Sequence, residues 1–284
     1  MMTVVPDGRA VREAFKVETD RVSRLLDTAA GLDDPVPQLD WTIRQLAAHV
    51  CMVYQSFAST VRGEFPADAL DEVVGTDGAA GTLPQSLAAA NAFAIQMVDF
   101  PDPAAAAETL EASATDWLEV LDAGPDPLES HPTPWYGPQA TRTAGTLAAL
   151  AVSETLVHGQ DLARAMGAKL RPAAASAAAA APTVMSEMWP TLLDPERARG
   201  FSGSFEVRVR GGEPFVLHIA DGKAWSTPVE GQKADCVVSL DPRTALMIGF
   251  GRQSLGRAIL SGGSFAYGRK PWLGLRMHTF FMRP

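Results

Sequence analysis

Glu154 and His158 are the pair in this sequence best placed to do chemistry. They lie in a run that reads as one long helix, where a spacing of four puts both side chains on one face. Leu147, Leu150, Ala151, Val157, Leu162 and Ala165 surround them on the stripe that a helical bundle buries. A carboxylate on that stripe is strongly disfavoured without a partner, so Glu154 needs a cation or several hydrogen-bond donors. His49 falls three residues after Leu46 and four before Val53 on an earlier helical stretch, so it also faces inward. Helical bundles build metal centres in this way, from ligand-type residues on facing helices. Two imidazoles and one carboxylate leave a position open for water or substrate, which suits a catalytic Zn²⁺ rather than a closed structural one. Iron(II) uses the same donor set, and nickel or manganese could enter it. Each histidine alone reads more simply as a hydrogen-bonded core residue. The joint pattern is what points to a divalent metal.

Asp161, three residues after His158, is the candidate catalytic residue, either orienting the imidazole or acting as a base; the plain alternative is a solvated helix acid. Trp41 at the start of the second helix reads as a packing residue more readily than as a substrate contact, and Trp135 and Tyr136 could line a pocket mouth, although such loops commonly tuck one aromatic under themselves. His131, His218 and His278 have no ligand-spaced partners and read as structural. Cys51, two residues after His49, is turned about 200° away on a helix and falls outside the ligand set.

The elements that must position these groups are helical over the first 200 residues. Amphipathic stretches run over residues 9–30, stopped by Gly31, and over 42–62, between Asp40 and Gly63. A Gly- and Asp-rich loop, residues 63–81, precedes helices over 83–98 and 103–121. The loop His131-Pro132-Thr133-Pro134-Trp135-Tyr136-Gly137-Pro138 leads into the longest helix, residues 144–166, closed by Gly167. A last helix covers 172–188 and ends at Pro190. Long helices with short connections predict a four- or five-helix bundle. Near Gly200 the period changes to two. Residues 204–210, 214–220 and 223–227 read as strands joined at Gly211-Gly212 and Asp221-Gly222, and 234–240 as a buried strand. Helices are expected from Asp241-Pro242 to Ile248 and over 255–261, with residues 276–282 either strand or helix. The chain is thus expected to comprise a mainly α domain, residues 1–200, and a small α+β domain, residues 201–284.

Net charge is −9, which argues against a nucleic-acid partner. It is split unevenly: residues 1–200 hold 13 Lys/Arg against 27 Asp/Glu, and residues 201–284 hold 11 against 6, giving −14 and +5. That asymmetry favours docking of the two parts, although two independently soluble surfaces would look the same. No uncharged apolar run approaches the roughly 18 residues of a membrane span. Residues 1–20 carry Asp7, Glu13 and Glu18 and no apolar core of a signal peptide. With two cysteines in different domains, the reading is a cytoplasmic protein without a disulfide framework.

The segment Trp41-Thr42-Ile43-Arg44-Gln45-Leu46-Ala47-Ala48-His49, followed by Glu154-Thr155-Leu156-Val157-His158-Gly159-Gln160-Asp161-Leu162-Ala163, resembles the mycothiol-dependent maleylpyruvate isomerase family. From Gly203-Ser204-Phe205 through Ala234-Asp235-Cys236-Val237-Val238-Ser239-Leu240 to Gly262-Gly263-Ser264-Phe265, the chain is similar to the sterol-carrier-protein-like domain that follows the bundle in that family. The resemblance implies a DinB-like bundle with the metal on a His of the second helix and an ExxxH of the fourth. It implies mycothiol as cofactor and a small electrophile as substrate, with isomerisation or thiol S-transfer as the reaction. The segment Gly268-Arg269-Lys270-Pro271-Trp272 departs from the family's usual ending, so the substrate-binding arginines are carried over only as candidates for a carboxylate partner: Arg252, Arg257 and Arg269. Metal-dependent hydrolysis and non-catalytic carriage of a lipid or small molecule are the rival readings. The chain is expected to act as a monomer or weak dimer.

Overall fold

The computed structural model describes residues 3–66, 82–137, 139–231 and 233–282. Six helices cover the first two thirds of the chain: α1 (Gly8–Asp27), α2 (Ile43–Arg62), α3 (Leu83–Ala94), α4 (Pro103–Asp122), α5 (Ala144–Ala165) and α6 (Ala174–Met188). Caps set most of their starts. The Asp7, Asp102 and Thr143 side chains accept from backbone N–H groups of the first turns of α1, α4 and α5. Thr42 and Gln45 form a reciprocal capping box that opens α2 at Ile43. α1 stops short of the expected Gly31 because Thr28 turns both its backbone N–H and its hydroxyl back onto carbonyls of the last turn. α3 likewise ends at Ala94 rather than 98. Of the expected loop 63–81, residues 67–81 lie outside the described residues, as does Pro138 of the Pro-rich loop. That second loop is more ordered than its prolines imply, because β1 (Ser130–Pro132) and β2 (Thr141–Thr143) pair antiparallel around a 3₁₀ turn, Pro134–Tyr136.

α1, α2, α4 and α5 pack on one another as a four-helix bundle, with Phe15, Tyr54, Leu110 and Trp117 fully buried within it. α5 is its most enclosed member. All of its side chains are buried except Glu154, Gln160, Arg164 and Ala165. Gly159 allows α1 that close: a Cβ there would lie 2.5 Å from Val22 Cγ2, well inside van der Waals contact. α6 packs outside α1 and α5 and reaches the rest of the chain. Among the described residues no helix is long and apolar enough to cross a membrane.

The remainder is a five-stranded sheet with β3 (Gly203–Val209), β4 (Phe215–Ala220), β5 (Lys223–Pro228), β6 (Cys236–Leu240) and β7 (Ser264–Tyr267) in the order β5-β4-β3-β6-β7. The two predicted hairpins form. β6 then returns parallel to β3, pairing Val207 with Val238, and β7, which was not predicted, closes the edge antiparallel to β6. α7 (Pro242–Gly249) and α8 (Leu255–Leu260) follow β6, and the tail is helical at α9 (Gly274–Met277). The fold is therefore the expected mainly α bundle followed by a small α+β unit. Buried apolar side chains continue from the bundle through Met185 and Met188 of α6 to Leu246 of α7 and Phe205 and Phe215 of the sheet.

We propose that the boundary between residues 1–200 and 201–284 is a domain boundary. The apolar period changes there, and Pro195, Glu196, Arg197, Arg199 and Gly200 are exposed on an irregular stretch between α6 and β3. Limited proteolysis should cut first within residues 194–202, and a first cut inside α4 or α5 would contradict the boundary.

Candidate metal centre

α2 and α5 bring His49, Glu154 and His158 to one point. The capping box places His49 near the end of the second turn of α2, and the four-residue spacing stacks Glu154 beneath His158 on α5. His49 Nε2 lies 3.4 Å from Glu154 Oε2, and His158 Nε2 lies 3.1 Å from the same oxygen. The two imidazoles meet edge to face with centroids 4.8 Å apart. One ligand atom from each residue falls within 4.8 Å of the others. A tetrahedral ion with bonds of about 2.1 Å separates its donors by about 3.4 Å, so the spacing fits a divalent metal. Trp41 packs against both rings, at 4.9 Å from His49 and 6.1 Å from His158.

The electrostatics follow from burial and pairing. Burial lowers the His49 pKa, and the positive charges of His158 and Arg252 add to that, against the raising effect of Glu154. Burial would raise Glu154, but hydrogen bonds and charge from the two imidazoles hold its carboxyl far below the usual carboxylate range. Burial also opposes a proton on His158, yet Asp161 and Glu154 on either side outweigh it and lift that imidazole to about 9. A metal entering at neutral pH must therefore displace a proton from His158, so affinity should rise with pH over this range.

Asp161 is fully buried behind His158, with Oδ2 3.3 Å from Nδ1. Its other partner comes from the far end of the chain. Arg252 Nε donates to both Asp161 oxygens at 3.1 Å, and Nη2 lies 3.0 Å from Oδ2. Nη1 donates to the Phe250 carbonyl at 2.8 Å. Gly251, at φ 71°, makes this possible: the left-handed turn brings the chain back after α7, and the Arg252 N–H bonds the Met247 carbonyl. Burial would raise the Asp161 pKa, but His158 and Arg252 hold it below its ordinary value. Asp161 therefore lies between His158 and Arg252 and is sealed from solvent, so the plain alternative of a solvated helix acid does not hold.

The triad sits at the wall of a cavity of about 290 Å³. Trp41, Phe57, Trp135, Tyr136 and Leu150 line it from the bundle side, Met185, Met188 and Trp189 from α6 and its end, and Leu246, Phe250 and Arg252 from the α+β part. Trp135 and Tyr136 of the Pro-rich loop both line this cavity, with Trp135 itself buried, and Trp41 lines it as well as packing on the imidazoles. The contributions of α6 and α7 were missed, because nothing distinguishes an apolar cavity liner from a core residue in sequence. Of the three candidate arginines only Arg252 reaches the cavity. Arg257 is exposed on α8, and Arg269 is exposed and paired with Asp235 at the edge of the sheet, so neither meets the metal site. Cys51 is buried off the triad, and burial raises its thiol to about 12. His131 is buried, and His218 stacks on Trp225 in the sheet, away from the centre.

The family model for the mycothiol maleylpyruvate isomerase N-terminal domain matches residues 14–163, more than half of the chain and all three candidate ligands. The chain belongs to that family. Crystal structures of the mycothiol-dependent maleylpyruvate isomerase and of an alanine mutant of it each align with TM-score 0.52 at 14% identity, covering 93% of this chain and 96% of theirs. At that identity the match shows a shared fold. No curated protein matches by sequence.

The geometry generates a test within this family member. Purified protein loaded with zinc should hold about one ion per chain, and His158→Ala should abolish stoichiometric binding while keeping helical circular dichroism. Asp161→Asn should weaken zinc by roughly 10- to 100-fold in a chelator competition, as loss of an orienting hydrogen bond does. Full occupancy in His158→Ala would remove the triad as the metal site.

Proposed function

We propose that this chain is a mycothiol-dependent, divalent-metal enzyme acting on an electrophilic small molecule, as a maleylpyruvate-isomerase-like cis–trans isomerase or a thiol S-transferase. The observation that carries this reading is a three-donor site with an open side at the wall of a cavity. His49, Glu154 and His158 would hold the metal, with Zn²⁺ favoured by the donor set. A divalent ion there supplies one thing to the chemistry: it converts a thiol, with an ordinary pKa of about 8.5, into a thiolate at neutral pH. Asp161 fixes the tautomer and orientation of His158. Arg252 spends its charge on Asp161 but keeps N–H groups that would donate to a substrate carbonyl oxygen at the cavity wall. Trp41 closes the side of the centre and keeps bulk water from both imidazoles.

The rival readings fare less well against the same geometry. Hydrolysis needs a base beside the metal, and Asp161 has no exposed surface from which to take a proton from a reacting water. Carriage of an apolar ligand needs no three-donor site, so the carrier reading leaves the convergence of His49, Glu154 and His158 unexplained.

Calorimetry of mycothiol against zinc-loaded and metal-stripped protein tests the reading. Binding should require zinc and should weaken as pH falls, because protons compete with the ion for the sulfur and both imidazoles. Equal affinity for the two forms would remove the thiol mechanism.

A further inference from the structure

The charges around the cavity limit what the substrate can be. Among its described lining residues, the groups that carry charge are His49, Glu154, His158 and Arg252. Arg252 is matched by Asp161, so that pair is neutral as a unit. A divalent ion held by Glu154 and a thiolate would also be neutral in sum. A carboxylate entering this space would give up its hydration without finding an unmatched cation among those lining residues, at a cost of several kcal/mol, since the Arg142 guanidinium lies behind the Tyr136 ring and outside the lining. The remaining walls are Trp, Phe, Leu, Val and Met side chains, which reward apolar surface.

We propose that the electrophile this chain accepts is an uncharged, mostly apolar carbonyl compound with a conjugated C=C bond, and not a carboxylate. The proposal rests on the thiol reading above for its chemistry, and on the cavity lining together with the neutral sum of that proposed centre for its selectivity. In the transfer reaction the thiol sulfur bonds to the β-carbon, and the π pair of the C=C bond moves to the α-carbon. The proton lost by the thiol ends on that α-carbon, so no oxidant or reductant is needed. The carbonyl oxygen would take the free N–H groups of Arg252, while an aryl or alkyl group fills the space between Phe57, Trp135, Met185 and Leu246.

A matched pair of probes decides the matter. Methyl 3-benzoylpropanoate and 3-benzoylpropanoate share a skeleton, differ in charge and lack the reactive double bond. On the zinc- and mycothiol-loaded protein the ester should bind at least on the order of tenfold tighter than the acid. Equal or tighter binding of the acid, or binding of neither, overturns the proposal. The same pair on the metal-stripped chain, where no ion can capture a carboxylate directly, should give the same preference. Mycothiol consumption with the unsaturated methyl 3-benzoylacrylate reads the thiol chemistry separately. Ester binding without consumption would remove the thiol mechanism and leave the cavity's preference for uncharged ligands standing.

Discussion

A carboxylate held among apolar helices governs this structure. Glu154 keeps only 15% of its side chain exposed, on a helix otherwise enclosed by its neighbours. An isolated charge there would cost several kcal/mol even after relaxation, so the site must supply positive charge. Two imidazoles are the nearest source, and a divalent ion shared by all three is the fuller one. The requirement reaches outward. To present Nε2 to an ion, His158 would turn Nδ1 to an acceptor, and Asp161 Oδ2 lies 3.3 Å from it; Asp161, fully buried, needs a cation of its own. Arg252 is that cation, and it comes from outside the bundle.

This chain of compensating charges joins the two parts of the molecule. Residues 1–200 carry a net −14 and residues 201–284 +5, and the Arg252–Asp161 pair brings opposite charges from the two segments together beside the candidate metal centre. α6 makes the apolar half of the connection, with Met185 and Met188 on the cavity and Ala177 and Ala180 fully buried. The cavity therefore has walls from both parts, and ligand sites commonly form at such junctions. Movement of the α7–Arg252 turn would alter the cavity wall and the support of His158 together.

Much of this was legible from residue spacing. The buried ExxxH and His49 could be placed on inward faces because helical periodicity is strong in α2 and α5, and Gly63 and Gly167 marked where those helices end. The change to alternation at Phe205, Val207 and Val209 revealed the sheet. What escaped was non-local. The parallel return of β6 onto β3 and the short β7 depend on pairings across 24 residues or more that no local pattern encodes. Arg252 stood among three arginines of equal standing in sequence; only the turn at Gly251 shows which one reaches inward. Asp161 looked as much like a surface acid as a buried one, because its partner lies 91 residues away.

The central claim is that His49, Glu154 and His158 hold one metal with a position open for a thiol. X-ray absorption at the zinc edge of the loaded protein tests it directly. The account predicts a shell of two imidazole nitrogens and light oxygen donors, gaining one sulfur at about 2.3 Å when mycothiol is added. A shell already closed by four protein ligands, or one that gains no sulfur at saturating mycothiol, would contradict it.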